Sequence, residues 1–585
     1  MRFRERIAST LYSMRNSVKR FPITVIVSIL FVIVQIYINE QGYPSNDIRE
    51  IYNKISMTIG LAIPLSLCLG FINEVFFNKD KIKQGLTYVI GVIFLVLYYM
   101  FFLKEINTLA VIRYTGTMIF LLIGIFYMLR LRNKENYEFH VLSINYSIAI
   151  TFIYSAVLYM GIIFILFTID QLFDANIDGK YYFYTFLIVT FIFGVSLFIS
   201  KLDKINEDYK DYDYSNALKI LLIYIVIPLI SIYTLILYVY FAKIIVTWEW
   251  PKGLVSHLVL WYSTLSVFII FLITPILEEN KIARLFKIWF PKLVLPILLM
   301  MFMSIYQRLD QYGFTENRYF VIVLGMWVTG IMVYFSLVKP LRNIIIPITL
   351  SLVVLNSVYG PLSAFNVSIN SQNNRLNKFL TTNGFLLDGE LIKKDQVSQV
   401  QQREISNIVE YFKNREMVDK IKIFPDDFKT EEMQDILGFA FKPDIYGGYI
   451  SEDYFNYYLD PYEISLDIEA YDYYVYMATW SNRSSKISDL ELIYEEKNNS
   501  LKLFKGEILL FEEDIKSLVL TLHNKLKDNI DNQKEGVKLE DMIIQKDYES
   551  VKIKIIFNNI SGRNPYENNK ISLDGAEFII LIDIK

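Results

Sequence analysis

The sequence predicts an all-α transmembrane helical bundle of about eleven spans, followed by a soluble α+β outer domain with a sheet-rich second half. Three observations carry this reading. Apolar residues make up 54% of the 585, aromatics alone 16%, and mean hydropathy is positive, unlike an ordinary soluble domain. Apolar runs approaching 20 residues recur up to Val358, and only a helix of about that length crosses roughly 30 Å of hydrocarbon with its backbone satisfied. The charge balance then reverses: 31 Lys and Arg face 22 Asp and Glu up to Val358, net +9, but 27 face 39 from Tyr359 on, net −12. The two parts are read as separate domains.

The runs fall at 22–38, 55–77, 86–103, 109–129, 141–169, 181–200, 218–242, 254–277, 293–306, 319–338 and 344–358. The ninth and eleventh are short, so ten or twelve spans follow if boundaries move by a few residues. The first run lacks a small-residue cleavage site and is longer than a signal core, which makes it an uncleaved first span. Expected domains are a basic amphipathic cytoplasmic segment at 1–20, transmembrane helices at 21–358, a helical part of the outer domain at 359–450 and a sheet-rich part at 451–585.

Orientation follows from the cations. With the N-terminus inside, the cytoplasmic segments carry 22 Lys and Arg and the opposite loops only 8, a strong positive-inside bias. An odd number of spans then places everything after Tyr359 outside the cytoplasm. Two stretches read as interfacial: 1–20, where Phe3, Ile7, Leu11, Met14 and Val18 recur at helical spacing among cations, and 281–292, with Leu285, Phe286, Ile288 and Trp289. Both serve to position the following span or to sense anionic lipid.

In the outer domain, Val397, Val400, Ile405, Ile408, Val409 and Phe412 form a helical stripe over 396–413. Strand patterning follows at 464–470, 490–494, 501–504, 508–511, 551–555 and 578–584, with one helix at 512–526. Tyr471, Tyr473, Tyr474 and Tyr476 mark an aromatic strand that belongs either to the core or to a sugar-stacking surface.

Chemistry is sparse. One cysteine, Cys68, sits inside an apolar run, and His140, His257 and His523 have no partner at metal spacing, so no metal site is expected. No phosphate-binding loop or dinucleotide glycine pattern occurs, so no cofactor is expected, and nucleic acid is not an expected partner. Carboxylates and cations are scarce within the spans, which disfavours ion-coupled transport. Polar groups concentrate instead at two outer tracts. The turn between spans nine and ten holds Arg308, Asp310, Tyr312, Glu316 and Arg318, and the chain leaving span eleven holds Ser371, Gln372 and Arg375. Together they form a candidate outer-surface cluster in which an arginine grips an anionic head group and Asp310 or Glu316 acts as base. The alternative is a salt-bridged loop that docks the outer domain.

The same residues carry a resemblance. The run Tyr-Gly-Phe-Thr-Glu-Asn-Arg-Tyr from Tyr312, the run Gly-Pro-Leu-Ser-Ala-Phe-Asn-Val-Ser from Gly360, Ser371-Gln372 with Arg375-Leu376, and Tyr471-Asp472-Tyr473 resemble the bacterial membrane-protein family called domain of unknown function forty-one fifty-three. The resemblance implies a bacterial envelope protein and supplies no catalytic residue. In architecture the chain is also similar to membrane glycosyltransferases that use lipid-linked sugars, which place a catalytic carboxylate in the first outer loop. Glu40, Asp47 and Glu50 occupy that loop here.

The leading expectation is a non-enzymatic, multi-pass cell-membrane protein whose outer domain binds a partner or an envelope component. A lipid-linked glycosyltransferase-like enzyme and a transporter are the alternatives. Expected partners are the bilayer and an envelope polymer, lipid-linked substrate or protein on the outer side.

Overall fold

The computed structural model describes residues 18–42, 45–78, 80–205, 209, 214–248, 254–425, 427–441, 454–459, 465–480, 484–526, 536–563 and 572–585. The interfacial reading of 1–20 falls almost wholly outside them, as does Ile464 of the expected strand at 464–470. The chain forms two compact units, one of Met1–Gln396 with Ile408–Phe439, the other of Val397–Asn407 with Ala440–Lys585.

Among the described residues, ten helices of the first unit are long and apolar enough to cross a membrane. They are α1 Pro22–Glu40, α2 Asn46–Phe76, α3 Lys81–Phe102, α4 Thr108–Arg130, α5 Tyr137–Phe173, α6 Gly179–Lys201, α7 Asn216–Thr247, α8 Ser256–Ile276, α9 Lys281–Tyr312 and α10 Glu316–Leu337. Side chains set their starts. Asp80, Asn107 and Asn280 each accept from the backbone N–H three residues on, the bond that satisfies an orphan donor of the first turn. The expected ninth span proves to be the second half of α9. The stretch 281–292, read as a separate interfacial segment, is its first three turns, continuous through Pro291 and Pro296.

The eleventh apolar helix, α11 Ile345–Val358, has 14 residues, or about 21 Å, less than a bilayer's hydrocarbon core. It nevertheless runs antiparallel along most of α10. The Tyr334 hydroxyl receives the Arg342 N–H, Trp327 Nε1 donates to Thr349 Oγ1 at 3.0 Å, and the Tyr319 hydroxyl donates to the Leu362 carbonyl. Residues 342–362 thus pass α10 from Tyr334 back to Tyr319, an eleventh pass of the bundle. Close approach of α4 permits it, since a Cβ on Gly116 would lie 2.6 Å from Val358 Cγ1.

Polar bonds identify two ends. At the first end, where α1 begins, Arg20 joins Glu74 and Asn343 joins Glu138 and Thr274. At the second, Lys180 joins Glu40 and Lys54 donates to the Lys104 carbonyl. Successive helices alternate between these ends. After α11 the chain continues through α12 Ala364–Thr382, a two-stranded turn of β1 Leu386–Leu387 and β2 Glu390–Leu391, α13 Gln399–Lys413, which is divided between the units after Asn407, and α14 Met433–Leu437.

The second unit packs two antiparallel sheets and a helix around one core. The five-stranded sheet has β10 Val551–Arg563 and β11 Ser572–Ile584 at its centre, β4 Tyr473–Ala478 beside β11, and β3 Tyr454–Tyr458 and β9 Ile543–Asp547 along the two halves of β10. The four-stranded sheet runs in order through β5 Ser484–Ile487, β6 Leu490–Glu495, β7 Ser500–Lys505 and β8 Ile508–Asp514. Val551, Ile553, Ile555 and Phe557 point inward while Lys552 and Lys554 point out, the period of two seen in the sequence. Helix α15, Ile515–Leu526, adds Ile515, Val519 and Leu522 to this core.

Three local expectations change. The helix begins at Ile515 because residues 512–514 complete β8. Residues 465–470 form no strand; Ile468 is exposed, and the strand follows at β4. On β4, Tyr474 and Tyr476 stand 50% and 41% exposed rather than in the core, with Trp480 nearby in sequence and 53% exposed. His523 is buried, its Nδ1 3.1 Å from the Tyr457 hydroxyl.

Candidate functional site at the second end of the bundle

Helix α9 ends where Gly313 adopts φ +67°, a conformation that costs glycine little, and its N–H closes on the Leu309 carbonyl at 2.9 Å. Space favours glycine as well, because a Cβ there would lie 3.0 Å from Ser371 Oγ and 3.1 Å from Gln372 Nε2 and press on both. Those two α12 side chains bind the turn directly. The Phe314 N–H donates to Ser371 Oγ at 2.9 Å, and Gln372 Nε2 donates to the carbonyls of Tyr312 at 3.0 Å and Phe314 at 2.8 Å. The Phe314 N–H and the Tyr312 and Phe314 carbonyls of the turn are thereby satisfied.

The arginines gather on one ring. Arg318 and Arg375 place their guanidinium carbons 5.4 and 5.9 Å from the Tyr312 ring centroid, and Arg318 Nη1 donates to the Gly313 carbonyl at 2.8 Å. Arg308 is half-buried and Asp310 exposed. The structure therefore brings together Tyr312, Arg318, Ser371, Gln372 and Arg375, with Arg308 and Asp310 outside that contact set.

Glu316 faces elsewhere. It is buried on the first turn of α10 and held by Arg415, whose Nε and Nη2 reach Oε2 at 3.0 and 2.8 Å, while the Tyr411 hydroxyl donates to Oε1 at 2.5 Å. Arg415 also lies 4.0 Å over the Tyr411 ring. Burial first, then the neighbouring carboxylate, pushes the Tyr411 hydroxyl well above the usual phenol range, so it stays protonated and donating. Arg415 and Tyr411 were not among the expected site residues. Tyr411 lies in the last turn of α13 and Arg415 two residues past its end, and their spacing of four in sequence does not point to a partner about a hundred residues away.

The acidic loop separates too. Glu40 accepts from Lys180 Nζ at 3.0 Å and from the Tyr184 hydroxyl at 2.7 Å, both on α6. Asp47 is exposed on the first turn of α2. Glu50 pairs with Lys54 at 2.8 Å and lines a polar cleft of about 410 Å³. Asn46, Arg49 and Asn53 of α2, Glu105 of the α3–α4 link and Glu416 beyond α13 line the same cleft. Such a cleft, with both charge signs and amide side chains, can bind a hydroxyl-rich or zwitterionic group. Among the described residues no three His, Cys, Asp or Glu side chains converge as a metal site would require.

At the first end the charges interlock. Arg20 grips Glu74 with two bonds of 2.7 Å and donates to the carbonyls of Leu202 at 3.0 Å and Asp203 at 2.8 Å. The Asp203 carboxylate accepts from His140 Nδ1 at 2.9 Å, Ser143 Oγ at 2.6 Å and the Tyr209 hydroxyl. Arg130, 1% exposed, lies 4.7 Å over the Tyr209 ring. Burial opposes the charge on Asp203, but the three donors outweigh it and hold the carboxyl below its ordinary value. Sequence reading left His140 solitary, because its partner lies 63 residues away.

Over 290 residues the chain is 22% identical to an uncharacterized protein of Pasteurella multocida (strain Pm70), covering 49% of each. The chain thus spans about half the length of that relative. No solved structure matches it. The profile of the family described as Domain of unknown function (DUF4153) matches residues 21–407, the stretch that holds the whole bundle, the Gly313 turn and the two helix faces that close on it, and the chain belongs to that family.

Proposed function

We propose that this is a non-enzymatic multi-pass protein of a bacterial cell membrane, with its first end in the cytoplasm and residues 359–585 outside, where they bind a partner or an envelope component. The observation that carries the reading is the course of α11. Its pass along α10 returns the chain to the second end, opposite the segments that hold 22 of the bundle's Lys and Arg. The polar side chains of that end support it further: Glu316 and Gln372 are consumed in holding local structure, as in a scaffold, while the cleft beside Arg49 stays open. On β4, Tyr474 and Tyr476 offer flat apolar area with polar tips, the chemistry of binding surfaces.

The test uses single cysteines at Asn46, Lys134 and Lys497 in a Cys68→Ala background. A membrane-impermeant maleimide should label the first and last in intact cells, and Lys134→Cys only after lysis. Labelling confined to Lys134→Cys would reverse the orientation. Photocrosslinking amino acids at Tyr474 and Tyr476 then test binding. Discrete adducts in living cells are expected, and their absence at both positions refutes a binding role for that face.

The open cleft favours one second reading, a glycosyltransferase-like enzyme with Glu50 at its acidic loop. Under it, Glu50→Gln abolishes the strain's envelope phenotype as fully as deletion does. Under the binding reading the same variant leaves the phenotype intact.

A further inference from the structure

Between α4, α5 and α6 lies an open groove of about 800 Å³. Its walls include Phe126 of α4, Phe152 and Tyr159 of α5 and Phe186 and Phe198 of α6. The first turns of α5 are buried at Tyr137, His140, Val141, Ile144 and Ser147, after which the helix turns large apolar side chains outward, with Phe152 72% and Val157 68% exposed. In a helix that spans a bilayer, the medium at that opening is lipid.

Among the described residues, two hydroxyls in the groove have no hydrogen-bond partner. Thr151 Oγ1 and Ser155 Oγ are both buried and accept or donate no hydrogen bond. A helical Ser or Thr ordinarily turns back to the carbonyl four residues earlier, as Ser147 does to Ser143 at 2.8 Å and Thr168 to Phe164 at 2.7 Å on this same helix. Thr151 and Ser155 depart from that habit and leave a donor each. The wall opposite them is irregular: α6 carries a π-helical segment at Ile188–Gly194, a feature frequent at functional sites. It ends in Gly194, where a Cβ would stand 3.1 Å from Ser155 Oγ, a tight contact that would press on that hydroxyl.

Depth identifies the occupant. Ser147 Oγ donates to the carbonyl of Lys201, the exposed cation that ends α6. Thr151 and Ser155 therefore lie about 6 and 12 Å further along the axis from that basic rim. A glycerophospholipid with its phosphate at the rim carries its ester carbonyls at this shallow depth, as acceptors for two donors, and its acyl chain in the apolar length beyond. We infer that the groove is a binding site for one phospholipid of the leaflet at the first end, with Thr151 and Ser155 holding the ester region. Apolar walls with a few placed polar groups are the usual composition of a ligand pocket, and lipid lying on a convex helix face has no such donors. This site does not depend on which side of the membrane that end faces.

Full-length protein is reconstituted into vesicles of phosphatidylethanolamine and phosphatidylglycerol with a trace of phosphatidylethanolamine bearing an acyl-chain diazirine. Adducts are mapped by mass spectrometry after irradiation. Labelling within 148–159 and 186–198 should exceed that around Phe164, on the outward face of the same helix, by about tenfold. Thr151→Val with Ser155→Ala keeps the shape, removes both donors and should lower groove labelling about fivefold, the loss of one or two hydrogen bonds. Ala156→Phe fills the groove and should abolish it, with monodisperse elution as the folding check. Equal labelling along α5 would mean surrounding lipid only and overturn the site. Groove labelling that the double variant leaves unchanged would remove the ester contact from the proposal and overturn it in this form. Enrichment with a diazirine fatty acid but not with the phospholipid would overturn the assignment of the occupant.

Discussion

The two ends of the bundle use similar residues to different effect. At the first end Arg20, Glu74, Arg130, His140 and Asp203 close on one another and on the carbonyls of Leu202 and Asp203, and none of the cavities described above lies among them. At the second end Glu316 and Arg415 are paired in the same manner, yet Arg49, Glu50, Glu105 and Glu416 surround an open cleft. Burial explains the contrast. A charge removed from water must be matched in place, so a closed network is a structural device, whereas charges that line a solvent-filled cleft retain hydration and can exchange it for a ligand. Function is expected where charges keep water to exchange, and substitutions at the two ends should therefore differ in kind.

The largest effect belongs to Asp203. Asp203→Ala orphans His140, Ser143 and Tyr209 together and should destabilise the protein by about 4 kcal/mol, read as a fall in detergent-solubilised melting temperature. A change under 1 kcal/mol would show that water repairs the network and would erase the contrast between the ends. The network also predicts acid sensitivity. Its folded carboxyl lies below the unfolded value near 3.9, so its contribution is complete above about pH 4 and is lost as pH falls through the folded value. Asp203→Asn should flatten that acid limb.

Next comes the Glu316–Arg415 pair. Glu316→Ala or Arg415→Ala should each cost about 2 kcal/mol, and a double-mutant cycle should show most of that as coupling. Additive effects would mean that the pair contributes only packing. Gln372→Ala removes two bonds to the turn carbonyls and should cost about 1 kcal/mol, seen as faster proteolysis of the Gly313 turn. Gln372→Glu offers no donor to those carbonyls and should not rescue it.

How far these contacts were legible follows from their range. The spans announced themselves, because 20 apolar residues in sequence are a local property that lipid enforces. The paired strands β10 and β11 did so through their period of two. The 14 residues of α11 were also readable as an apolar run, but their role as a pass of the bundle rests on Trp327, Tyr319 and Tyr334, which no window of sequence connects to Thr349, Leu362 and Arg342. Ser371 and Gln372 stood out as polar residues beside a membrane end, and the structure seats both on the Gly313 turn. The partner of Glu316 was the harder problem. Every arginine near it in sequence was a candidate, and the one that binds it, Arg415, comes from the turn after a helix that reads as part of another domain. Long-range pairing of charges leaves no periodic trace, which is why His140 and Asp203 also passed unmatched.

The smallest effect sharpens that last point. Arg375 lies with its guanidinium carbon 5.9 Å from the Tyr312 ring, and Arg318 faces the same ring at 5.4 Å. Two cations on one aromatic repel each other, so the second adds less than the first, and at a half-exposed site a single contact of this kind is worth about 0.5–1 kcal/mol. Arg375→Ala should therefore cost about 0.5 kcal/mol or less through this ring, and Tyr312→Leu should lower the cost of losing Arg375. Sequence alone allows a different result, in which Arg375 is the cation of Glu316. A cycle between Arg375→Ala and Glu316→Ala decides between them, because Glu316 is already saturated by Arg415 and Tyr411 and should show no coupling to Arg375 beyond about 0.3 kcal/mol. Coupling above 1 kcal/mol would mean that the turn rearranges around Glu316 in the membrane, and it would move that carboxylate from the closed class of charges to the open one.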